Sequence, residues 1–371
     1  MRSVLHLISG GDAGGAKTHL FALMQGLKDH VHAKIICFIR DTFYLEARDL
    51  GIDIEAIEQK SRFDMAVMKK VSQEAKAMGA EILHCHGARA NFNALFYKGD
   101  QLKVTTIHSD YKLDFKGNFL KQMIFTPLNS LALKQFDYYI AVTENFKDML
   151  VERGFPKDRI FVVYNGINLE AQEDKLSRQE FFSKYKIEDK PYFNFGIVAR
   201  LDAIKDHKTL LKAFAQAGLK DRARLFIAGD GPEREDLHNL AQSLNILDQV
   251  YFLGEMKDPY SLYQVLDVNL LTSQSESFPY ALLEGAKERL PGLASRVGGI
   301  PEMIRPNKEG LLFKAGDVKD LSEAMVYCVD HPEEMRTMGD NFYKRVKEKF
   351  SIQSMAQDHE KIYEEMIRRG K

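Results

Sequence analysis

Leu270–Gly285, with the sequence LLTSQSESFPYALLEG, is the stretch from which the fold is most easily read. Val268–Leu271 is largely apolar and predicts a buried strand, after which the chain turns polar through Thr272–Ser277. A helix is predicted to begin at Pro279, because proline is tolerated in a first helical turn, where its missing N–H would have no partner. Ser277 stands where an N-cap residue would stand. The stretch therefore predicts a strand, a polar loop and a helix in succession.

Two carboxylates flank the predicted loop and helix. Glu276 precedes the helix and Glu284 lies inside it, with seven residues between them. The amides and dipole of a helix N-terminus attract phosphate, and carboxylates accept hydrogen bonds from sugar hydroxyls. The pair predicts a site for a molecule with phosphates and hydroxyls. The alternative is a pair of solvated acids that suit the helix dipole.

Size and composition predict a soluble protein with two domains and exclude some function classes. A chain of 371 residues is too long for one ordinary core, and 45% hydrophobic with 28% charged residues is typical of soluble globular proteins. A net charge of −1 argues against nucleic-acid binding by bulk charge. Three widely spaced cysteines fit a reducing cytosol and show no metal-ligand spacing. No signal peptide and no membrane span are expected.

Apolar strands alternate with helical patterns along the first half of the chain, and the alternation starts again after a polar segment at 170–190. This pattern predicts two Rossmann-like, doubly wound α/β domains. We expect the first domain at 1–168, the second at 169–352, and a C-terminal helix at about 353–371 that packs back on the first domain. Ligands of such sheets bind beyond the carboxyl ends of the strands, so two domains facing across a cleft would enclose a ligand.

Two cations follow the first strand of the second half. The fork of Arg200 and the point charge of Lys205 both suit phosphate oxygens, although either residue alone would more often be a solvated cation. Two cations and a helix N-terminus can neutralise a diphosphate leaving group. No Asp-x-Asp metal pair is apparent at a strand end. We therefore expect diphosphate binding without a metal.

The polar loops of the first half are less specific. Gly11–Thr18 is close to a P-loop, but Ala16 stands where the pattern has glycine, and no convincing Walker B strand follows, which disfavours a nucleoside-triphosphatase. Gly14 and Gly15 instead predict a loop whose amides approach a phosphate or a sugar, with a tight strand-to-helix turn as the alternative. His108 ends an apolar strand, and the polar residues after it predict a loop that lines the cleft.

With these residues in place, the chain resembles the retaining glycosyltransferases of family 4, which have the GT-B fold. The resemblance covers nearly the whole length, and Gly14-Gly15 and His108-Ser109 contribute to it less specifically. It departs from the family at Lys287–Leu290, where small residues and a glycine are usual, and at Ser109, which replaces a common glycine. Four motifs carry it in the family's order: Arg200-Leu201-Asp202-x-x-Lys205-Asp206, Gly229-Asp230-Gly231-Pro232, Glu276-x7-Glu284 and Val297-Gly298-Gly299-x-Pro301-Glu302.

The resemblance implies a role for each of these residues. Glu276 would hold hydroxyls of the donor sugar, Glu284 would hold the ribose, and His108 would approach the transferred sugar. The residues implied in catalysis are His108, Arg200, Lys205 and Glu276. The residues implied in donor binding are Gly14, Gly15, Arg200, Lys205, Gly231, Leu253, Met256, Glu276, Ser277, Phe278, Pro279, Tyr280 and Glu284.

The implied reaction moves a hexose-type sugar, with retention, from a nucleotide-sugar donor to a glycan or lipid-linked acceptor in cell-surface polysaccharide or glycoconjugate synthesis. A UDP-linked donor is favoured over a GDP-linked one. No cofactor, no metal and no nucleic-acid partner are expected. Two alternatives remain: a GT-B-like sugar-nucleotide epimerase, which the spacing of the glutamates disfavours, and a non-catalytic sugar-nucleotide-binding partner subunit.

One further stretch predicts where the protein works. Tyr111–Lys134 carries four lysines against one acid, with apolar residues at helical spacing. A basic helix with an apolar face can lie in the interface of an anionic membrane. The pattern predicts a cytoplasmic protein that associates peripherally with the inner face of the membrane. The alternative is a surface helix whose apolar face packs on its own domain.

Overall fold

The computed structural model describes residues 1–11, 14–61, 64–110, 128–171 and 174–370. The chain divides into two compact units. The N-terminal unit comprises Met1–Gly166 together with Lys349–Lys371, and the C-terminal unit comprises Ile167–Glu348. The boundary between them lies two residues before the position expected from the sequence.

The N-terminal unit contains a seven-stranded parallel sheet in the order β3-β2-β1-β4-β5-β6-β7. Parallel strands are covered on both faces, which explains why these segments are almost continuously apolar. The strands are β1 (Arg2–Ile8), β2 (Val31–Cys37), β3 (Ile54–Ala56), β4 (Ile82–His86), β5 (Leu102–Ile107), β6 (Tyr138–Ala141) and β7 (Ile160–Val162).

The helices of this unit follow the strands that they connect. They include α1 (Gly15–Leu27), α2 (Thr42–Asp49), α3 (Val67–Ala77), α4 (Ala88–Asn93) and α5 (Glu144–Glu152).

The C-terminal unit repeats the pattern with six parallel strands in the order β10-β9-β8-β11-β12-β13. Its strands are β8 (Phe193–Val198), β9 (Ala223–Ala228), β10 (Val250–Gly254), β11 (Val268–Leu271), β12 (Gly292–Ser295) and β13 (Gly310–Phe313). Its helices include α6 (Arg178–Tyr185), α7 (His207–Ala217), α8 (Arg234–Ser243), α9 (Tyr260–Tyr263), α10 (Tyr280–Lys287), α11 (Ile300–Met303) and α12 (Val318–Asp330). The predicted pair of doubly wound parallel α/β units is confirmed.

Two long helices end the chain, α13 (Pro332–Lys349) and α14 (Ile352–Gly370). Helix α14 packs on α1 in the N-terminal unit. The approach is close at Gly26, where an added Cβ would lie 2.7 Å from the carbonyl oxygen of Ile352. Met355, Tyr363 and Met366 of α14 are buried in the same apolar cluster as strands β1, β4 and β5.

The loop before α10 differs from the prediction in one respect. The helix begins at Tyr280 with Pro279 as its N-cap, and no side chain caps it, so the prediction that Ser277 is the N-cap is wrong. The backbone oxygen of Ser277 instead accepts a hydrogen bond from the amide of Gly299, at 2.9 Å. A contact with a distant loop therefore sets the position of Ser277.

The predicted basic helix at Tyr111–Lys134 lies mostly outside the described residues. Within it, residues 128–133 are helical. Among the helices that the structure describes, none combines the length and the apolar character that crossing a bilayer requires.

Candidate functional site

The acids and cations singled out in the C-terminal unit follow two adjacent strands. Arg200 and Lys205 lie in the loop after β8, and Glu276 lies in the loop after β11. Strands β8 and β11 are neighbours, and the strand order reverses between them. The carboxyl ends of strands at such a reversal are where open α/β sheets bind their ligands.

Hydrogen bonds join the two loops directly. The Thr272 hydroxyl donates to the backbone oxygen of Lys205 at 2.8 Å, and the amide of Gln274 donates to the backbone oxygen of Ile204 at 2.7 Å. The side-chain amide of Gln274 also donates to Asp206 Oδ2 at 2.5 Å. Asp206 in turn caps α7 by accepting from Thr209. The loops therefore form one hydrogen-bonded unit in which Lys205 and Glu276 have fixed positions.

Lys205 and Glu276 form a partly buried ion pair. Lys205 Nζ lies 2.5 Å from Glu276 Oε1, and the side chains are 25% and 10% exposed. Ser273 donates its hydroxyl to the same carboxylate oxygen at 2.6 Å. Charge-assisted hydrogen bonds of this kind are short and orient both partners. The pair presents one cation and one acceptor side by side, which suits a phosphate joined to a hydroxylated group.

Arg200 has a different environment. Its side chain is 72% exposed and forms a loose ion pair with Asp202, with Arg200 Nε 3.8 Å from Asp202 Oδ2. An exposed guanidinium can reorient at little cost. Arg200 is therefore able to turn toward an anion beside Lys205, although the structure does not place the two cations on one group.

Glu284 lies on α10 and is held by a tyrosine of the neighbouring helix α9. The Tyr263 hydroxyl donates to Glu284 Oε2 at 3.1 Å. Burial, with the Glu284 charge adding to it, holds the pKa of Tyr263 well above its usual value, so this phenol stays protonated and remains a donor. Burial likewise raises the pKa of Tyr280, whose hydroxyl has no hydrogen-bond partner among the described residues.

Helix α10 approaches β11 closely at Gly285. A Cβ at Gly285 would lie 2.2 Å from Asn269 Nδ2, and that amide donates to the backbone oxygen of Ala281 at 2.7 Å. Asn269 thus binds the helix that carries Glu284.

The loop after β12 supports the backbone of Glu276. Gly298 has a φ of +51°, and an added Cβ would lie 1.7 Å from the carbonyl oxygen of Glu276. Only glycine satisfies both the left-handed backbone and this approach. Ser295 on β12 donates to the backbone oxygen of Ser273 at 2.6 Å. The motif at Val297–Glu302 therefore supports the site by packing against the backbone of Glu276.

The loop after β9 packs beneath Arg200. The amide of Leu201 donates to the backbone oxygen of Asp230 at 3.0 Å. A Cβ at Gly231 would lie 2.3 Å from the backbone oxygen of Leu201, and one at Gly229 would lie 2.0 Å from that of Ala199. Gly231 thus has a packing role whether or not it also touches a ligand.

The other donor-site residues predicted in the C-terminal unit lie at the carboxyl-end edge of its sheet or are buried in that unit. Phe278 and Pro279 are buried, and Ser277 and Tyr280 are partly exposed. Leu253 lies at the end of β10, and Met256 follows that strand. A surface cavity of about 950 Å³ is lined in part by Gly231 and Leu253. Arg200, Lys205 and Glu276 do not line it, so this cavity is not where the acids and cations gather.

In the N-terminal unit, Gly14 is the N-cap of α1, with a φ of −143°. No heavy atom of the described residues lies within 4 Å of a Cβ placed on Gly14 or Gly15. Packing against the described residues therefore does not require glycine at either position. Lys17, the lysine of the P-loop-like sequence, forms an ion pair with Glu46 at 2.7 Å.

His108 follows β5 and is half-buried among other histidines. Its Nε2 lies 3.4 Å from His86 Nδ1, and its ring meets His19 edge-on with ring centroids 4.6 Å apart. Burial, with the neighbouring His19 and His359 adding to it, holds the pKa of His108 well below its usual range. His108 is therefore a neutral imidazole at neutral pH.

Most of this histidine cluster, and most of the groups that hold Glu276, were not predicted from the sequence. His6, His84 and His86 lie within strands, where they read as polar interruptions of an apolar run. Thr272 and Ser273 belong to the polar loop after β11. A loop rich in hydroxyl groups directly after a buried strand is the sequence feature that could have identified them. Nothing in the sequence indicates that Tyr263 and Asn269 contact α10.

Comparisons with known proteins agree with this architecture. A sequence model of the family described as Glycosyltransferase Family 4 matches residues 13–171, and one described as Glycosyl transferases group 1 matches residues 177–345. The N-acetyl-alpha-D-glucosaminyl L-malate synthase of Bacillus anthracis is 28% identical over 329 residues, which are 87% of this chain and 84% of that protein. The lipopolysaccharide 1,6-galactosyltransferase of Escherichia coli K12 is 28% identical over 187 residues, 49% of either chain.

Solved structures resemble the whole chain. HepE of Anabaena, crystallised with UDP, superposes with a TM-score of 0.82 at 19% identity, covering 98% of this chain and 100% of HepE. The lipopolysaccharide outer core galactosyltransferase WaaB superposes with a TM-score of 0.76 at 20% identity, covering 98% and 100%. The chain has the GT-B fold and belongs to the family 4 glycosyltransferases.

Proposed function

We propose that the protein is a retaining hexosyltransferase that uses a UDP-linked sugar and acts on a glycan or lipid-linked acceptor in the synthesis of a cell-surface polysaccharide or glycoconjugate. The observation that carries this proposal is the Lys205–Glu276 ion pair at the reversal of strand order in the C-terminal unit. A cation and a carboxylate 2.5 Å apart suit the junction between a diphosphate and a sugar.

Each residue of the site then has a role. Lys205 and the exposed Arg200 bind the diphosphate and stabilise the charge that develops on it as the sugar leaves. Glu276 accepts hydrogen bonds from sugar hydroxyls, and Glu284 accepts them from the ribose. Lys205 pairs with Glu276 in the loop that precedes α10. In this proposal Lys205, the exposed Arg200 and the N-terminus of α10 together offset the diphosphate charge without a metal ion.

The retaining course of the reaction is part of the proposal. The leaving phosphate takes the proton of the acceptor hydroxyl, so the new bond forms on the face from which the phosphate departs. No protein nucleophile is assigned. His108, as a neutral imidazole, hydrogen-bonds to the transferred sugar and carries no charge of its own.

The relatives support the donor and the acceptor class. HepE has been crystallised with UDP and glucose and with UDP-glucose, which favours a UDP-hexose donor here. The E. coli relative is named for a galactosyl transfer to lipopolysaccharide, which favours a lipid-linked or glycan acceptor.

A second acceptor class follows from a different relative. The Bacillus anthracis protein, matched over 87% of this chain, is named for joining N-acetylglucosamine to L-malate. A small hydroxy acid is therefore the alternative acceptor, and UDP-N-acetylglucosamine the matching donor.

UDP release and product analysis test the proposal. UDP-glucose, UDP-galactose and UDP-N-acetylglucosamine are incubated with lipid-linked glycans, free glycans or L-malate, and NMR determines the anomeric configuration of the product. We expect UDP release that depends on the acceptor, with the α configuration of the donor kept. An inverted product contradicts retention. An altered sugar still attached to UDP identifies an epimerase, and donor binding with no turnover on any acceptor identifies a binding subunit.

A further inference from the structure

Six histidines meet at the carboxyl-end edge of the N-terminal sheet. His6 lies on β1, His84 and His86 lie on β4, and His108 follows β5, while His19 comes from α1 and His359 from α14. Strands β1 and β4 are neighbours, and their register places His6 beside His84. The rings contact one another with centroid separations of 4.3 to 6.2 Å. The proposed glycosyl transfer uses one of these rings, so the others call for a separate explanation.

Three of these histidines have the arrangement of metal ligands. One ring nitrogen from each of His19, His86 and His108 lies within 4.8 Å of the other two. His86 Nδ1 and His108 Nε2 are 3.4 Å apart, which is long for a hydrogen bond. Two nitrogens bound to one tetrahedral Zn²⁺ at about 2.0–2.1 Å lie about 3.4 Å apart.

The outer contacts of two of these rings leave one ring nitrogen of each with a lone pair that an ion can use. His19 Nδ1 lies 2.9 Å from Asn165 Oδ1, so its proton is on Nδ1, and its buried Nε2 has no hydrogen-bond partner among the described residues. His86 Nε2 lies 3.0 Å from His6 Nδ1. When His86 donates from Nε2 to His6, its Nδ1 lone pair faces His108. A metal-bound histidine usually has such a partner on its other nitrogen.

The alternative trio of His6, His84 and His86 is less suited to an ion. Both ring nitrogens of His84 already have hydroxyl partners, Tyr363 at 2.7 Å and Thr106 at 2.7 Å. All three rings are fully or almost fully buried. The trio with His108 includes a half-buried ring that gives an ion a route into the site.

We propose that His19, His86 and His108 form a three-histidine site for Zn²⁺ or a similar borderline divalent ion, with Asn165 and His6 as the positioning residues behind His19 and His86. Three imidazoles are a ligand set that zinc accepts while it keeps a fourth, open position. An ion bound there occupies His108 and therefore inhibits sugar transfer. This inhibition rests on the proposed role of His108 in the transfer, whereas the binding of the ion does not.

Binding is measured on full-length protein without an affinity tag, after treatment with a chelator. We expect one Co²⁺ per chain, with the intense visible absorption of a four-coordinate ion, and displacement of that ion by Zn²⁺. His19→Gln is expected to weaken Co²⁺ binding at least tenfold. Asn165→Ala, which acts through His19, is expected to weaken it about 10–100-fold. His30→Gln removes an exposed surface histidine and serves as the matched control, with unchanged binding.

Several outcomes would overturn the proposal: no Co²⁺ binding, the weak absorption of a six-coordinate ion, or unchanged binding in His19→Gln. Circular dichroism checks that each variant is folded. X-ray absorption of Zn²⁺ on the wild-type protein needs no variant, and fewer than three imidazole ligands would also contradict the site. Ion binding, visible absorption and X-ray absorption do not depend on turnover. They therefore test the metal site even if the protein proves not to transfer a sugar. Where turnover is measured, Zn²⁺ should inhibit the wild type more than His19→Gln.

Discussion

Lys205 Nζ lies 2.5 Å from Glu276 Oε1 across two loops that are 71 residues apart in sequence. The contact joins the cation motif after β8 to the first glutamate of the Glu276-x7-Glu284 motif. Each partner therefore has a defined position before a ligand arrives, and Ser273 donates a second hydrogen bond to the same carboxylate oxygen. A site of this kind needs little reorganisation to accept a charged donor, which is the condition for strong electrostatic stabilisation.

The cations should matter for turnover without any added metal. We expect Arg200→Ala and Lys205→Ala each to lower kcat/KM by roughly 2–4 kcal/mol of transition-state stabilisation, because each removes a donor to the leaving diphosphate. Arg222→Ala is the matched control, since Arg222 is an exposed arginine paired with Asp330. Steady-state kinetics with and without EDTA test both expectations. A strict requirement for added Mg²⁺ or Mn²⁺ would contradict the metal-free mechanism.

The two glutamates should separate sugar recognition from nucleotide recognition. Glu276→Ala is expected to lose sugar-dependent activity while affinity for UDP is kept, because UDP lacks the sugar that Glu276 contacts. Glu284→Ala should weaken both UDP and the UDP-sugar, because the ribose is common to them. Calorimetric titration of each variant with both ligands decides the matter. Equal weakening of both ligands in Glu276→Ala would show that the roles are wrongly assigned.

Gly298→Ala tests how the loop after β12 supports Glu276. The added Cβ would lie 1.7 Å from the Glu276 carbonyl oxygen, so the loop must move and take the acid with it. Gly218→Ala is the control, because Gly218 has a φ of +62° but no atom of the described residues within 4 Å of the new Cβ. The control should lose about 1–2 kcal/mol of stability from backbone strain alone. Thermal denaturation and kinetics should show a larger loss, and reduced activity, for Gly298→Ala; equal losses would exclude the steric account.

The buried histidines predict acid sensitivity. Burial lowers the pKa of His6 to about 3, of His19 to about 4 and of His359 to about 3 in the folded protein. The unfolded chain, with histidine pKa values near 6.5, binds protons first as the pH falls. The stability contributed by these neutral rings is therefore fully present above pH ~6.5 and is lost progressively toward pH 3–4.

Urea denaturation at a series of pH values between 8 and about 5 measures this effect. Each buried histidine can add up to about 1.4 kcal/mol per pH unit to the slope. His359→Gln should reduce the slope, because it removes one of the buried rings whose pKa is lowered. A free energy of unfolding that is flat from pH 7 to about 5 would show that the rings are already protonated or do not stay buried.

Membrane docking remains a prediction from sequence. The basic segment Tyr111–Lys134 should bind anionic vesicles, with binding that falls as salt rises, because each lysine near an anionic surface adds about 1 kcal/mol. Changing Lys112, Lys116 and Lys121 to glutamate should abolish this binding. The single variant Lys134→Glu, at the last residue of the segment, serves for comparison with the triple variant. Vesicle co-sedimentation is the measurement. Failure of the wild type to bind anionic vesicles at low salt would favour a soluble acceptor.

The class of fold and the positions of most candidate residues could be predicted from the amino-acid order. Buried strands such as Val268–Leu271 and the helices between them were predicted from hydrophobic patterns. Such a pattern repeats within one element, so it can be recognised without knowing which distant segment the element contacts. The motifs at Arg200, Glu276 and Gly298 were recognisable for the same reason, since each occupies a short loop after a strand.

The way in which those loops support one another is visible only in the folded chain. Gly298 accommodates the carbonyl oxygen of Glu276, and Thr272 holds the backbone of Lys205. The histidine cluster joins residues from His6 to His359, more than 350 positions apart. Strand order, register and the docking of α14 on α1 bring these side chains together. Strand order, register and this helix packing cannot be predicted from local hydrophobic periodicity, because each depends on contacts between segments far apart in the chain.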